Sequence, residues 1–170
     1  MVLLRTGAGG SQVQGTKITT GQLEIVTYPS DAEVAPGNRF SLVLDITPRP
    51  GMHVYAPGAV GYRAIVLDVG PKPFVQLPAM RFPASEIYHF KPLDERMPVY
   101  QKPFRLMQEV VLEGSREAIG SLQGQERLTL TGLLDYQACD EKVCYNPVTI
   151  PVSWTVALKS LVRERPVPAK

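Results

Sequence analysis

Sixteen prolines are scattered along this 170-residue chain, with fourteen glycines among them. Together they make up about 18% of the residues, above the roughly 12% average but below the roughly 25–30% of low-complexity chains. Proline lacks a backbone donor and breaks helix interiors and central strands. The chain must therefore turn often, and an all-helical bundle is excluded. The segments between the turns alternate. Phe40, Leu42, Leu44 and Ile46 share one face, with Ser41, Val43 and Asp45 between them. Val148, Ile150, Val152, Trp154 and Val156 do the same against Thr149, Ser153 and Thr155. A period of two is that of a half-buried strand. Further extended segments are predicted around Leu23 and Ile25, at Met52–Tyr55, Ala64–Val69, Tyr88–Phe90, Phe104–Leu112 and Leu128–Thr131. Ser115–Ile119 hints at a helix, which Gly120 is expected to end. Short strands with turn chemistry between them predict an all-β, immunoglobulin-like antiparallel β-sandwich.

Leu, Ile, Val and Phe form about 28% of the chain, enough for one real core and well above the composition of disordered chains. Residues 1–15 read as a flexible leader or remnant, 16–158 as one domain, and 159–170 as a basic, Pro-containing tail or linker. The net charge of +2 gives no electrostatic case for nucleic acid or an anionic membrane. No run of 18 apolar residues occurs, so the domain itself is expected to make no membrane contact. There is no Gly-x-Ser-x-Gly elbow, no His-Glu-x-x-His and no phosphate loop.

The two cysteines, Cys139 and Cys144, are separated by Asp-Glu-Lys-Val. In a reducing compartment such a pair reads as a metal half-site or redox motif; in an oxidising one it reads as a disulfide. With one strand ending near Tyr136 and another starting near Val148, the pair flanks a tight connection. Opposed strand residues lie ~4.5–5.5 Å apart at Cα, inside the usual disulfide span. Closing so short a loop stabilises by only about 2 kcal/mol, which leans towards exchange chemistry. Spacing alone leaves both exchange and a structural staple open. Asp140 and Glu141 disfavour a thiolate and Lys142 favours one. His53 and His89 add zinc-type ligands but lack a paired histidine spacing, and the methionines read as core. Tyr136 and Tyr145 flank the cysteines, as strand residues or as contacts to a docking partner.

The segment Tyr136-Gln137-Ala138-Cys139, a short insert, then Cys144-Tyr145-Asn146-Pro147 resembles the signature of the N-terminal periplasmic domain of the DsbD thiol:disulfide interchange family. Pro50-Gly51-Met52-His53-Val54-Tyr55 is similar to a Pro-Gly-aromatic-x-x-Tyr segment of that family. Leu93-Asp94-Glu95-Arg96-Met97 with Val99-Tyr100 resembles its acidic loop and the strand after it. The resemblance implies a thiol:disulfide oxidoreductase domain of a larger protein, periplasmic, with the redox pair at one end of the sandwich. It implies a thioredoxin-like donor domain, oxidised periplasmic thiol proteins as acceptors (cytochrome c maturation factors among them), a membrane tether through the parent protein, and no cofactor beyond the dithiol. Carried over, Cys144 forms the mixed disulfide and Cys139 resolves it. Tyr55 and Tyr100 line the site, and Asp94 and Glu95 act as proton acceptors or tune the thiols. Two departures stand out: Arg96 and Met97 occupy the place of the family's aromatic cap, leaving Met97 or Phe90 to shield the pair, and the insert is one residue shorter than in the best-known member. The rival reading is a non-enzymatic binding or assembly module with a structural disulfide.

Overall fold

A computed structural model describes residue 13 and residues 15–159. The expected leader and tail fall outside the described residues, apart from residues 13, 15 and 159. The strands are β1 (Thr16–Thr19), β2 (Leu23–Pro29), β3 (Glu33–Val34), β4 (Arg39–Pro48), β5 (His53–Tyr55), β6 (Val66–Val69), β7 (Val75–Gln76), β8 (Glu86–Phe90), β9 (Glu95–Tyr100), β10 (Phe104–Leu112), β11 (Arg127–Tyr136), β12 (Ala138–Cys139) and β13 (Val148–Leu158). One helix, α1 (Arg116–Leu122), joins β10 to β11. It starts where Ser115 accepts from the Ala118 amide at 3.2 Å, the usual hydroxyl cap. Gly120 lies inside it, contrary to expectation. An exposed helical glycine costs only about 1 kcal/mol, and the chain reverses instead at Gly124, with φ +81°.

Two large sheets form an immunoglobulin-like sandwich. One runs β1-β2-β4-β10-β7 and the other β3-β13-β11-β6. Pairings are antiparallel except for β3 against β13. The period-two segments supply the core: Leu42, Leu44 and Ile46 of β4 share one buried cluster with Leu23, Ile25 and Leu106 of the same sheet and with Leu130, Leu134, Val152 and Trp154 of the facing sheet. The Trp154 indole N–H donates to the Val43 carbonyl at 3.1 Å, tying one sheet to the other. Pro151 sits inside β13 opposite Leu133. It is tolerated because β3 pairs only Ala157 and Leu158, leaving that side of β13 without a second neighbour.

A third, smaller sheet runs β12-β5-β9-β8. It arises because the chain leaves β11 at Tyr136, which still pairs with Val148, and spends the intervening residues in an excursion. There Ala138 and Cys139 pair with Val54 and His53. Every residue of β5 is buried. Val54, with Ala138 and Tyr100, faces the main core. Tyr55, with Val99 and Cys139, forms a separate cluster on the opposite face. This outer face carries the cysteines.

Candidate functional site

Cys139 and Cys144 form a disulfide with Cα atoms 4.1 Å apart. Two backbone bonds bracket them: the Tyr145 amide donates to the Ala138 carbonyl at 2.9 Å and the Asp140 amide to the Val143 carbonyl at 2.9 Å. Asp140 folds the loop between them. Its carboxylate accepts from the Lys142 amide at 2.7 Å, the Val143 amide at 2.6 Å and the Tyr145 hydroxyl at 3.0 Å, the local turn that aspartate favours. Those donors, the two amides first, hold the Asp140 carboxyl below its ordinary value. The same bond raises the Tyr145 hydroxyl.

The two sulfur environments differ. Cys139, in β12, is 1% exposed, whereas Cys144 is exposed, beside Val143 at 52%. Of the two residues, Cys144 is the one open to solvent. The cavity beneath is small, about 50 Å³.

Tyr55 lies under the pair. Its hydroxyl is 3.2 Å from Cys139 Sγ and 3.6 Å from Cys144 Sγ. Disulfide sulfurs carry no proton, so the phenol is the donor. Burial, then the neighbouring Tyr62, Glu95 and Tyr88, push its pKa far up; it stays protonated across the physiological range. The ring stacks on Tyr62, with centroids 4.3 Å apart and planes at 17°. The Tyr62 hydroxyl donates to Glu95 at 2.8 Å. His53, opposite Cys139 in the ladder, packs against Tyr88 with ring centroids 4.4 Å apart and planes tilted by 31°. Burial lowers its pKa, with Asp140 opposing, so the ring is uncharged near neutrality.

Of the residues expected at the site, the structure brings together Cys139, Cys144, Tyr55, Glu95 and Met97, and Phe90 joins them. Four others stand apart. Tyr100 faces the main core, stacks on Phe104 at 4.1 Å and donates to the Pro83 carbonyl at 2.9 Å. It is one residue out of phase with Val99, and the pleat turns alternate side chains to opposite faces. Tyr136 is fully buried in the main core, with its hydroxyl at Thr20 (3.0 Å) and Gln22 (3.2 Å). Tyr145 braces Asp140 and does not line the cavity. Asp94, in the left-handed region at φ +52°, points outward to His89 at 2.6 Å with 86% of its side chain exposed. Its neighbour Glu95 turns inward.

Sequence reasoning missed Tyr62, Tyr88 and the siting of His53. Tyr88 and Phe90 share a face of β8, a two-residue spacing that could have placed them together. Tyr62 lies on a loop without periodicity, where Gly58 (φ +97°) and Gly61 (φ +81°) take backbone conformations open to glycine. Gln137 ties this loop to the cysteines: its side chain accepts from the Arg63 amide at 3.0 Å and donates to the Tyr145 carbonyl at 3.2 Å.

A family model described as the N-terminal domain of the thiol:disulfide interchange protein DsbD matches residues 25–153. Among solved structures, the N-terminal periplasmic domain of ScsB from Proteus mirabilis is similar, with a TM-score of 0.55 at 14% identity. The match covers 82% of this chain and 49% of the ScsB chain, so the chain spans about half the length of that relative. At that identity the likeness is one of fold. No curated protein matches the sequence.

Proposed function

The chain belongs to the family of the DsbD N-terminal domain, and from that membership we propose that its cysteine pair passes electrons from a thioredoxin-like or membrane-embedded donor domain to oxidised periplasmic thiol proteins. The family's activity is thiol:disulfide interchange; the route, the compartment and the roles of individual residues are the proposal. The carrying observation is the asymmetry of the pair: an exposed Cys144 joined to a Cys139 that is 1% exposed, with the Tyr55 hydroxyl on both sulfurs.

In the electron-delivering direction, the Cys144 thiolate attacks one sulfur of the partner's disulfide. The other partner sulfur leaves as a thiolate, and a mixed disulfide forms. The Cys139 thiol then loses its proton and attacks Cys144 Sγ, expelling the partner's second thiolate. Two electrons reach the partner and the 139–144 bond is remade. Running backwards, a donor thiolate attacks Cys144 and Cys139 departs as thiolate, where the Tyr55 O–H stabilises the developing charge. The domain runs over residues 16–158, and its dithiol is the electron carrier.

Single-cysteine variants test this. With Cys139→Ser, exposed Cys144 should accumulate a stable mixed disulfide with oxidised glutathione, detected as one glutathione per chain by mass. With Cys144→Ser, buried Cys139 should react far more slowly. Equal trapping at both cysteines, or none at Cys144, contradicts the assignment.

A further inference from the structure

One covered polar ring plays no part in the steps above. His53 is 3% exposed and lines the cavity under the disulfide, yet among the described residues neither of its ring nitrogens has a hydrogen-bond partner. The other buried rings with a polar atom all have one. Tyr55 reaches the sulfurs, Tyr100 donates to the Pro83 carbonyl, Tyr136 meets Thr20 and Gln22, and Trp154 donates to the Val43 carbonyl. Covered polar groups are paired as a rule, and an exception calls for an explanation. Among the described residues no side-chain nitrogen is sealed off without a partner, so the nitrogens of His53 keep an opening, and the space the residue lines is the cavity of the sulfurs. The register supplies the explanation. His53 in β5 is directly opposed to Cys139 in β12, and opposed residues project to the same face with Cβ atoms ~4.5–5.5 Å apart. Resting on the exchange reading, we infer that His53 is the proton partner of Cys139: once the disulfide is reduced, the buried sulfur is held as a thiolate beside an imidazolium on the opposed strand.

In the disulfide, Cys139 Sγ is bonded to Cys144 and carries no charge. A donor dithiol that reduces the bond supplies two electrons and two protons and becomes a disulfide itself. One proton stays on Cys144, the other on His53, and Cys139 Sγ is left negative. The coupling is one of charge across the ladder and needs no hydrogen bond between the two side chains: an opposite charge within ~4–6 Å favours the charged form of each. In the resolving step the Cys139 thiolate attacks Cys144 Sγ of the mixed disulfide. The Cys144–partner bond breaks with its electrons on the partner sulfur. The imidazolium, no longer beside a negative sulfur, releases its proton to water. The groups around His53 suit both members. From the cysteine loop, Asp140 favours the imidazolium and Lys142, at the same cavity, favours a thiolate. From its own strand, Tyr55 holds its hydroxyl 3.2 Å from Cys139 Sγ. Tyr88 of β8 packs against the ring, and Glu95 of β9 is engaged by the Tyr62 hydroxyl. In the oxidised protein burial prevails and the ring is neutral, so the proton is taken up only when the sulfur becomes negative.

The test is a titration of the histidine ring signals by NMR, between about pH 5 and pH 9, on the unaltered protein oxidised and then fully reduced with dithiothreitol. The chain has two histidines, and the signal lost in His53→Gln is that of His53. Reduction should raise the His53 midpoint by about one pH unit or more, the effect of a nearby opposite charge. The signal of His89, which meets Asp94 on the outer side, should titrate alike in both forms. The coupling is reciprocal. In Cys144→Ser, the ultraviolet absorbance of the Cys139 thiolate should therefore appear at lower pH than when His53→Gln is added, again by about one unit or more. Equal His53 midpoints in the two forms, or a shift that His89 shares, overturns the inference. Should His53→Gln fail to fold, His89→Gln assigns the signals and the comparison of oxidised with reduced protein decides alone. The titration needs only dithiothreitol, so the two readings fail separately. A disulfide that never trades with glutathione overturns the exchange reading. One that trades while His53 titrates unchanged overturns the coupling alone.

Discussion

The interior between the two large sheets and the outer face of the small sheet are packed by different rules. Between the large sheets lie Leu23, Ile25, Leu42, Leu44, Ile46 and Leu106, all with no exposure, and Trp154 spends its single polar group on a carbonyl of the opposite sheet. Behind the cysteines lie His53, Tyr55, Tyr62 and Tyr88, each pairing an apolar ring with a polar tip. The first region removes apolar area from water and so supplies stability. The second holds hydroxyls, an imidazole and a carboxylate at set distances from two sulfurs, one covered and one open. The lesson is a division of labour: apolar packing fills the space between the large sheets, and the polar groups around the disulfide gather on the small one.

Substitutions that touch one region and spare the other sharpen that division. The largest effect is expected in the sandwich. Leu106→Ala should lower unfolding stability by about 2–5 kcal/mol in chemical denaturation, while the folded fraction still exchanges with glutathione at the unaltered rate. A collapse of exchange in folded Leu106→Ala would join the two regions. Reducing the disulfide should cost only about 2 kcal/mol, because the closed loop is short. A denaturation midpoint in dithiothreitol that drops to complete unfolding would make the bond a structural staple after all. Tyr55→Phe should slow disulfide exchange about tenfold, equivalent to about 1.4 kcal/mol in the barrier, and cost about 1 kcal/mol or less in stability. Stopped-flow kinetics and denaturation on one sample separate the two.

The smallest expected effect is on pH dependence. Burial depresses the His53 pKa below the ordinary 6.5, so the unfolded chain binds the proton more readily than the folded one. His53 thus favours the fold above about pH 6.5, and that contribution is lost as pH falls below the unfolded value and through the lower folded one. The Asp140 carboxyl, also lowered, adds a loss at more acid pH, below its ordinary 3.8. His53→Phe should flatten the stability profile between pH 7 and pH 5 relative to the unaltered protein. An unchanged slope would remove His53 from the account of this face.

The sandwich was legible because period two survives in β4 and β13: β13 alternates between a buried and an exposed face, and β4 keeps its apolar residues on the buried face although Val43 opposite is covered too. That a bridge between the cysteines is sterically possible was legible from their short spacing between two predicted strands; that it forms was not, because spacing alone left a metal half-site open. The small sheet was not: β12 has two residues and β5 three, too few for a pattern, and their pairing is between segments far apart in the chain. The same brevity hid the pleat at Tyr100, which a motif places beside Tyr55 and the structure turns to the other face. Tyr136 takes the first of its two readings, a strand residue, and stands away from the site for a related reason. Nearness to a cysteine in sequence said nothing about which side of β11 it would take. Asp94 and Glu95 look equivalent as letters, and only the left-handed backbone at Asp94 sends one outward and the other in.

The central claim is that the bond between the covered and the open sulfur is made and broken in service. Equilibrating the protein with graded glutathione or dithiothreitol buffers and counting thiols measures its reduction potential. An exchange role requires a potential above roughly −300 mV, within reach of thioredoxin-like donors. A potential far below roughly −300 mV, the range of inert structural bridges, would contradict it.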